Sequence, residues 1–363
     1  MNRGFPRPFF MSVITLLFSL TVFSQEKTFF VSGKVIDEKT SQALAGASVF
    51  CQNTTIGTVS RADGSFSLKL ANGGYDMIVS YTGYETKVIR IGKGNKENDS
   101  LTVELKEQDK SLGEVVVAGS AEVADGWNKY GQFFLDNFIG TTPNAGTCIL
   151  ENKDAVKFYF YKKRNKLKVK AAQELIITNN ALGYKIKYQL DSFVYEYNTN
   201  VSSYTGYPLF EELTGTPEQQ ETWKQNRLYS YSGSRLHFIR SWYDSTLKEE
   251  GFVLEMADSN KKNAFAPIQD PYDPKFYGVD SGDVEINLGG RLRVSYTNQV
   301  PDKKYLQENK FPAGTKVQIS ALDILNGLEI EENGYFYDQS DVTNIGYWSW
   351  KKLAEVLPYD YVP

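Results

Sequence analysis

The stretch VSGKVIDEKTSQALAGASVFCQNTTIGTVSRADGSFSLKLANGGYDMIVSYTGYETKVIRI, residues 31–91, decides the fold of the N-terminal region. It consists of short runs of alternating apolar and polar residues, separated by turns rich in glycine, asparagine and aspartate. Such alternation places every second side chain on one face of a strand, and short strands with regular turns are typical of a β-sandwich. We predict seven strands, at residues 29–37, 47–52, 55–60, 65–70, 75–81, 86–91 and 100–107.

The same region carries the marks of a known family. They are Gly33-Lys34-Val35, GASV at 46–49, Gly57-Thr58, DGSF at 63–66 and YTGY at 81–84. With these marks, residues 28–107 closely resemble the carboxypeptidase-regulatory-like domain, a seven-stranded sandwich of the transthyretin and immunoglobulin type. The resemblance implies a domain that accompanies some carboxypeptidases without carrying their chemistry. Asp63 precedes a glycine and is interpreted as a turn residue rather than a calcium ligand.

Composition bounds the class of protein. A chain of 363 residues is long enough for two domains, and its 24 tyrosines and 22 phenylalanines favour a β-rich fold. The formal net charge of −4 argues against a nucleic-acid partner. The single histidine, His237, cannot supply the ligand set of a zinc carboxypeptidase. No metal or other cofactor is predicted. Four aspartates lie close together in sequence but lack the spacing of a calcium loop, and we interpret them as loop residues: Asp270, Asp273, Asp280 and Asp283.

The first residues predict export. Arg3 and Arg7 precede an apolar run at residues 9–23 that is short for a membrane span, which is typical of a secretory signal peptide over residues 1–24. An uncleaved anchor helix is the alternative. We predict no transmembrane helix after cleavage and a location in the periplasm or at the outer membrane. Export permits a disulfide between Cys51 and Cys148, but Cys51 is interpreted as a buried apolar residue of a strand.

A linker at residues 108–124 contains LGEVVVAGS, residues 112–120. This segment resembles the one that joins the same kind of sandwich to the plug of outer-membrane transporters of the starch-utilisation type. We expect too few residues after it for a transporter barrel, which needs many strands of roughly ten residues each. The resemblance therefore implies an association with the same envelope and a docking role for the strand at 115–117.

Residues 125–363 are predicted to form an aromatic-rich α+β domain with an antiparallel sheet and a helical insertion. An amphipathic helix at 125–140 has an apolar face on which Trp127, Tyr130, Phe134 and Phe138 recur at helical spacing. It is followed by a meander with a bulge near Asp191-Ser192, then two helices, then a second set of strands that includes GYFYD at 334–338. The region resembles uncharacterised companions of this sandwich in envelope proteins, through FIGTTPNAGTC, ELIITNNALGYKIKYQL, YTGYPLFEEL and NRLYSYSGSRLHFIRS. That resemblance implies architecture and compartment only.

Basic residues are concentrated on the predicted meander. Ten lysines and arginines lie between Lys153 and Lys187, against two carboxylates, Asp154 and Glu174. We expect a solvated sheet face, because antiparallel sheets commonly leave one face in water. Binding of anionic lipid headgroups or acidic glycans is the alternative.

The two central helices carry the candidate site. The first begins at Pro217 and ends near Tyr231; in the second, from Ser234, an apolar arc lies opposite His237, Arg240, Ser241 and Asp244. Asp244 lies two turns from His237, about 10 Å along the axis, so the three residue types do not make a catalytic triad. The candidate ligand-binding residues form a polar groove floor, although a structural role for them is favoured: Arg227, Tyr231, His237 and Arg240.

These observations favour a non-enzymatic, exported cell-envelope protein with a binding or scaffolding role. The expected partners are an outer-membrane protein, a glycan or a lipid headgroup. Two alternatives stay open: a hydrolase whose site involves His237 or Cys148 in the second domain, and an adaptor to outer-membrane transport machinery that pairs through the strand at 115–117.

Overall fold

The computed structural model describes residues 28–92, 100–108, 122–258, 264–280 and 282–363. The predicted signal peptide and the predicted strand at 115–117 lie outside the described residues. Within those ranges, no helix has both the length and the apolar character that a membrane crossing requires.

The N-terminal region is a β-sandwich of seven strands, which confirms the predicted element order. One sheet has the order β4-β1-β7 and the other β3-β2-β5-β6. The strands are β1 Thr28–Asp37, β2 Ser48–Cys51, β3 Gly57–Val59, β4 Ser65–Ala71, β5 Tyr75–Ser80, β6 Lys87–Ile91 and β7 Leu101–Leu105. Alternate residues such as Phe66, Leu68 and Leu70 are buried between the sheets, as the period of two predicts.

Local contacts inside the sandwich explain particular residues. The Asp63 carboxylate accepts a hydrogen bond from the Ser65 backbone N–H at 3.0 Å, which confirms its role as a turn residue. Gly33 lies where β1 meets the parallel strand β7, and a Cβ there would lie 2.2 Å from the Leu101 carbonyl oxygen. Cys51 is buried in the sandwich core, and both it and Cys148 are free thiols.

A six-stranded sheet and helix α1, Gly126–Phe138, form a second core. The strands are β8 Cys148–Leu150, β9 Val156–Tyr161, β10 Lys166–Ala171, β11 Leu175–Asn179, β12 Tyr184–Glu196 and β13 Val201–Glu212. The buried rings of Phe134 and Phe138 on α1 pack edge-on against Phe193 and Tyr188 of β12. The sequence predicted this apolar helix face correctly.

The predicted meander is wrong in its pairing. Strands β10 and β11 do not pair with each other; they lie end to end along one edge of the long strand β12, and β13 pairs along the other edge. The predicted bulge is confirmed, because the register of β12 against β13 shifts between Leu190 and Ser192. That bulge keeps Leu190 and Phe193 on the same buried face although they are three residues apart.

The remaining chain forms a third large core, so the described part of residues 125–363 contains two large cores and a small cluster of Tyr305, Leu306 and Tyr347. Helices α2, Pro217–Tyr231, and α3, Arg235–Tyr243, precede a five-stranded sheet of order β15-β14-β18-β19-β21 and a three-stranded sheet of order β16-β17-β20. Their elements are β14 Phe252–Ala257, β15 Phe265–Pro267, β16 Tyr277–Asp280, β17 Asp283–Ile286, β18 Gly290–Tyr296, α4 Lys303–Glu308, β19 Gln318–Ile324, β20 Leu328–Ile330, β21 Val342–Gly346 and α5 Tyr347–Trp350.

The strand predicted at 334–338 is wrong. Gly334 has a φ of +83°, and Phe336 forms only an isolated bridge with Ile330, so the segment turns back on β20 instead of extending. This turn contacts the sandwich: the Asn333 side chain donates to the Gly74 carbonyl at 3.0 Å, and the Tyr335 hydroxyl donates to Asp76 at 3.0 Å.

The connection between β2 and β3 makes the second contact between the sandwich and the rest of the chain. The Asn53 N–H donates to the Pro208 carbonyl at 2.6 Å, and the Phe210 N–H donates to the Thr54 carbonyl at 2.9 Å. The C-terminal tail, residues 351–363, lies against the same connection, where the Tyr359 N–H donates to the Asn53 carbonyl at 2.7 Å.

Candidate functional site

The joint between α2 and α3 brings two of the predicted site residues together. A capping box at Thr216 begins α2, and the Ser234 side chain caps α3. Between the helices Gly233 has a φ of +72°, and a Cβ there would lie 2.4 Å from the Tyr296 ring. The sharp turn that this glycine allows places the rings of Tyr231 and His237 4.7 Å apart.

Both ring nitrogens of His237 are occupied. Nδ1 accepts a hydrogen bond from the Gly233 N–H at 3.1 Å, so the ring hydrogen is on Nε2, which donates to the Glu250 carboxylate at 3.1 Å. The side chain is buried against the rings of Phe252 and Tyr296. Burial lowers the pKa of His237, and the hydrogen bond to Glu250 opposes that shift. The imidazole is therefore held neutral, with no nitrogen left to act as a base.

The neighbouring polar residues of α3 do not complete a catalytic arrangement. The Ser241 hydroxyl donates to the backbone carbonyl of His237 at 2.7 Å and not to its ring. The carboxylate at the imidazole comes from Glu250, a residue that the sequence did not single out. The predicted polar arc is also wrong in part, because His237 and Ser241 are both buried.

Arg240 holds the C-terminal tail. Its Nε donates to the Asn333 carbonyl at 3.1 Å, and its two terminal nitrogens donate to the carbonyls of Tyr361 and Tyr359, each at 2.8 Å. The guanidinium also lies 5.8 Å from the centre of the Tyr231 ring, which packs against Tyr361. We call Tyr231, His237 and Arg240 the tail clasp.

Arg227 serves a different segment. It donates to the carbonyls of Leu182 and Gly183 at 2.7 and 3.2 Å and to the Glu212 carboxylate at 2.8 Å. Its guanidinium stacks over the Tyr184 ring at 3.9 Å. None of these hydrogen bonds reaches the tail clasp. The four predicted site residues thus bind protein groups, and a ligand for them stays a prediction.

A cleft of about 350 Å³ opens at the C-terminal end of α1 and includes Cys148. Burial and the charge of Glu355 raise the pKa of the Cys148 thiol to about 12, so the thiol stays protonated and is a poor nucleophile. The side chains around His237 are not among those that line this cleft: Tyr231, Glu250, Phe252 and Tyr296. The structure therefore does not bring Cys148 and His237 together.

The residues that complete the tail clasp could not be identified beforehand. Asn333, Tyr359 and Tyr361 are far from α3 in sequence, and all three accept from Arg240 through their backbone carbonyls. Since every residue has a backbone carbonyl, no side-chain pattern marks such a partner.

Comparison with known proteins identifies the sandwich. Residues 31–117 match the model of the family described as CarboxypepD_reg-like domain, which confirms the resemblance. The chain is 30% identical over 113 residues to the TonB-dependent receptor SusC of Bacteroides thetaiotaomicron, covering 31% of this chain and 10% of that receptor. It is 34% identical over 111 residues to the TonB-dependent receptor P39 of Formosa agariphila, covering 30% and 10%. The chain thus spans about a tenth of the length of these curated relatives.

Proposed function

We propose that this chain is a non-enzymatic, exported cell-envelope protein with a binding or scaffolding role. One observation carries the proposal: its single imidazole is buried, neutral and hydrogen-bonded at both nitrogens. Acyl transfer by a serine or cysteine most often uses an imidazole with a free nitrogen as its base. The Cys148 thiol stays protonated and is a poor nucleophile, which also argues against a hydrolase.

Location and partner class follow from the N-terminal region. The similarity to TonB-dependent receptors supports an envelope-associated place for the sandwich, and the sequence of residues 1–24 supports export to the periplasm or outer membrane. The partners that we propose are an outer-membrane protein, a glycan or a lipid headgroup.

Capture of a partner from solubilised envelopes tests the binding role. The bait is the chain from Gln25 onward with its affinity tag at the N-terminus, because a C-terminal tag would disturb the tail that Arg240 holds. We expect an envelope component to be captured equally by the wild type and by the double variant His237→Asn, Cys148→Ser. A hydrolytic activity of the wild type towards acyl esters that the double variant lacks would overturn the proposal in favour of the hydrolase.

The adaptor is the second candidate, favoured by the extent of the family match. That match reaches residue 117 and so includes the EVVV segment, residues 114–117. If the chain is an adaptor, deletion of residues 112–119 abolishes capture of the envelope component while circular dichroism and the urea midpoint stay unchanged. Capture that survives the deletion places the binding surface elsewhere and rejects the adaptor.

A further inference from the structure

The hairpin of β9 and β10, residues 156–171, has an unusual distribution of charge. Its sequence, VKFYFYKKRNKLKVKA, contains seven basic residues and no acidic residue. Its alternate residues Val156, Phe158, Leu167 and Val169 are buried in the core beneath α1. The intervening side chains therefore point away from the core: Lys157, Tyr159, Tyr161, Lys166, Lys168 and Lys170. We call this surface, with the turn Lys162–Arg164, the basic hairpin.

The register of the two strands pairs lysines with tyrosines. Lys166 lies opposite Tyr161 and Lys168 opposite Tyr159, while Lys170 lies opposite Lys157. Like charges directly opposite each other destabilise a sheet, so stability alone does not select this arrangement. The turn adds three exposed cations next to Tyr161. The result is a surface on which positive groups and half-buried aromatic rings alternate.

Few carboxylates balance these cations. Glu122 pairs with Lys157 at 3.3 Å and Glu196 pairs with Lys166. Across the described ranges, no carboxylate oxygen lies within 4.0 Å of the Lys168 amine or of the basic groups of the turn. A chain whose net charge is −4 thus carries a local excess of positive charge on one sheet face.

The five-stranded sheet shows how the same protein treats a solvated face. There Arg291 forms a two-point pair with Asp323, with both distances 2.7 Å, and Arg293 forms a two-point pair with Glu255 on the neighbouring strand. Each cation on that face has a carboxylate across the strand pair. Among the described residues, Lys168 and the turn at 162–164 have no such carboxylate, so their charge is available to a partner from outside the chain.

We propose that the basic hairpin binds an acidic polysaccharide, a linear sugar chain with regularly spaced carboxylate or sulfate groups. This inference rests on the proposed binding function and names its partner. Lysines at alternate positions of a strand stand about 7 Å apart in a row, which suits a polymer with repeating negative charge. Tyr161, next to the turn, offers an apolar ring face to a sugar ring, with a polar hydroxyl at the edge, whereas the Lys170 amine lies over the Tyr159 ring at 5.4 Å.

A lipid surface fits the same face less well. Interfacial binding depends on apolar side chains that enter the membrane in addition to positive charge. The valine, leucine and phenylalanine side chains of the hairpin face the core, and its outward face carries lysine, tyrosine and Arg164. This surface provides positive charge for an anionic sugar chain and a tyrosine ring for stacking, and it lacks the apolar side chains that insert into a membrane.

Three probes in calorimetry test the proposal: oligogalacturonate, its neutral methyl ester, and vesicles of phosphatidylcholine with phosphatidylglycerol. We expect oligogalacturonate to bind and the methyl ester not to bind. Raising the ionic strength from low to physiological values and above should weaken the binding about tenfold, because exposed charges are screened. Binding to the vesicles alone, or equal binding to the methyl ester, overturns the proposal.

Matched charge reversals locate the site. The double variant Arg164→Glu, Lys168→Glu should lose binding at least tenfold, and Tyr161→Ala should lose a few-fold without changing the salt dependence. The control double variant Lys224→Glu, Lys248→Glu changes two exposed lysines elsewhere by the same charge and should bind like the wild type. Equal losses in both double variants reject the site.

The capture experiment separates this inference from the proposed function. An envelope component captured equally by the Arg164→Glu, Lys168→Glu variant and the wild type, with no binding of oligogalacturonate, rejects the polysaccharide and leaves the binding role standing. Urea midpoints of all variants identify any loss that comes from unfolding.

Discussion

The tail clasp and the basic hairpin have similar residues but opposite surroundings. Both combine cations with aromatic rings, yet in the clasp every guanidinium nitrogen of Arg240 and both nitrogens of His237 are bonded to groups of the same chain. In the hairpin the cations point outward: Glu122 pairs with Lys157 and Glu196 with Lys166, while Lys168 and the turn have no carboxylate within 4.0 Å among the described residues. Residue type alone therefore does not identify a binding surface in this protein. The partners of each donor decide whether it serves the fold or a ligand.

The largest expected effect contrasts two arginine truncations. Arg240→Ala should lower the free energy of unfolding by about 3 kcal/mol or more, since it removes three hydrogen bonds from a charged donor to carbonyls of the turn and the tail. Arg164→Ala truncates an exposed arginine of the hairpin and should change the free energy of unfolding by less than about 0.5 kcal/mol. Urea unfolding measures both values. Equal effects would remove the distinction between the clasp and the hairpin.

Glu331 extends the comparison to an enclosed carboxyl group. Burial raises its pKa to about 7, the Tyr337 hydroxyl that donates to it at 2.7 Å opposes the shift, and the charge of Asp283 adds to it. The pKa of Glu331 in the folded protein is above the ordinary value of 4.5, so the folded state favours the protonated carboxyl group. The stability that protonated Glu331 contributes is therefore fully present below about pH 4.5 and is lost as the pH rises through 7. Glu331→Gln should therefore stabilise the protein by about 1 to 3 kcal/mol at pH 8.

Urea midpoints of Glu331→Gln and wild type from pH 4 to 8 check this expectation. Glu285→Gln, on an exposed carboxylate of the neighbouring strand β17, is the control; it keeps Glu331 and should retain the pH slope of the wild type. A Glu331→Gln variant that is less stable than wild type at pH 8 would show that the carboxylate is ionised at no cost.

His237 should give a pH dependence of the opposite sign. Burial lowers the pKa of His237 in the folded protein, so on acidification the unfolded chain takes up this proton before the folded protein does. The stability that the neutral imidazole contributes is therefore present above about pH 6.5 and is lost as the pH falls below that value. His237→Asn keeps an acceptor for the Gly233 N–H and should cost about 1 to 2 kcal/mol at pH 8. The difference from wild type should narrow towards pH 5. A constant difference across this range would mean that the imidazole is not held neutral.

The smallest expected effect concerns salt. Repulsion among the cations of the hairpin should make the wild type more stable by a few tenths of a kcal/mol when salt screens them, about the size of one surface ion pair. Lys168→Gln should reduce that gain, whereas Lys224→Gln on α2 should not. Thermal unfolding at low and high salt measures the difference. A gain that both variants share would place the repulsion elsewhere.

The sequence predicted the parts of the molecule that rest on local patterns. Alternation with glycine turns predicted all seven strands of the sandwich, and the spacing of Phe134 and Phe138 predicted the buried face of α1. The long pairing of β12 with three strands and the turn at Gly334 could not be predicted, because they depend on contacts between distant segments. The environment of His237 was predicted only as a structural role. Its partner Glu250 comes from the loop after α3, where no periodic pattern marks it.

The charge of the hairpin was visible in sequence, but its meaning was not. A count between Lys153 and Lys187 includes cations whose carboxylates lie outside that window, such as Lys187 with Glu211. Only the structure separates these balanced pairs from Lys168, which lies opposite Tyr159 and has no carboxylate within 4.0 Å among the described residues.

The contact between Asp360 and Thr55 joins segments that are 305 positions apart. Closing so long a loop is slow relative to local pairing, so the sandwich can complete its own sheets well before its docking surface is finished. A protease that cuts within the tail would loosen the contact between the sandwich and the rest of the chain, and it would also remove Leu353, Leu357 and Tyr361 from the core beneath α1.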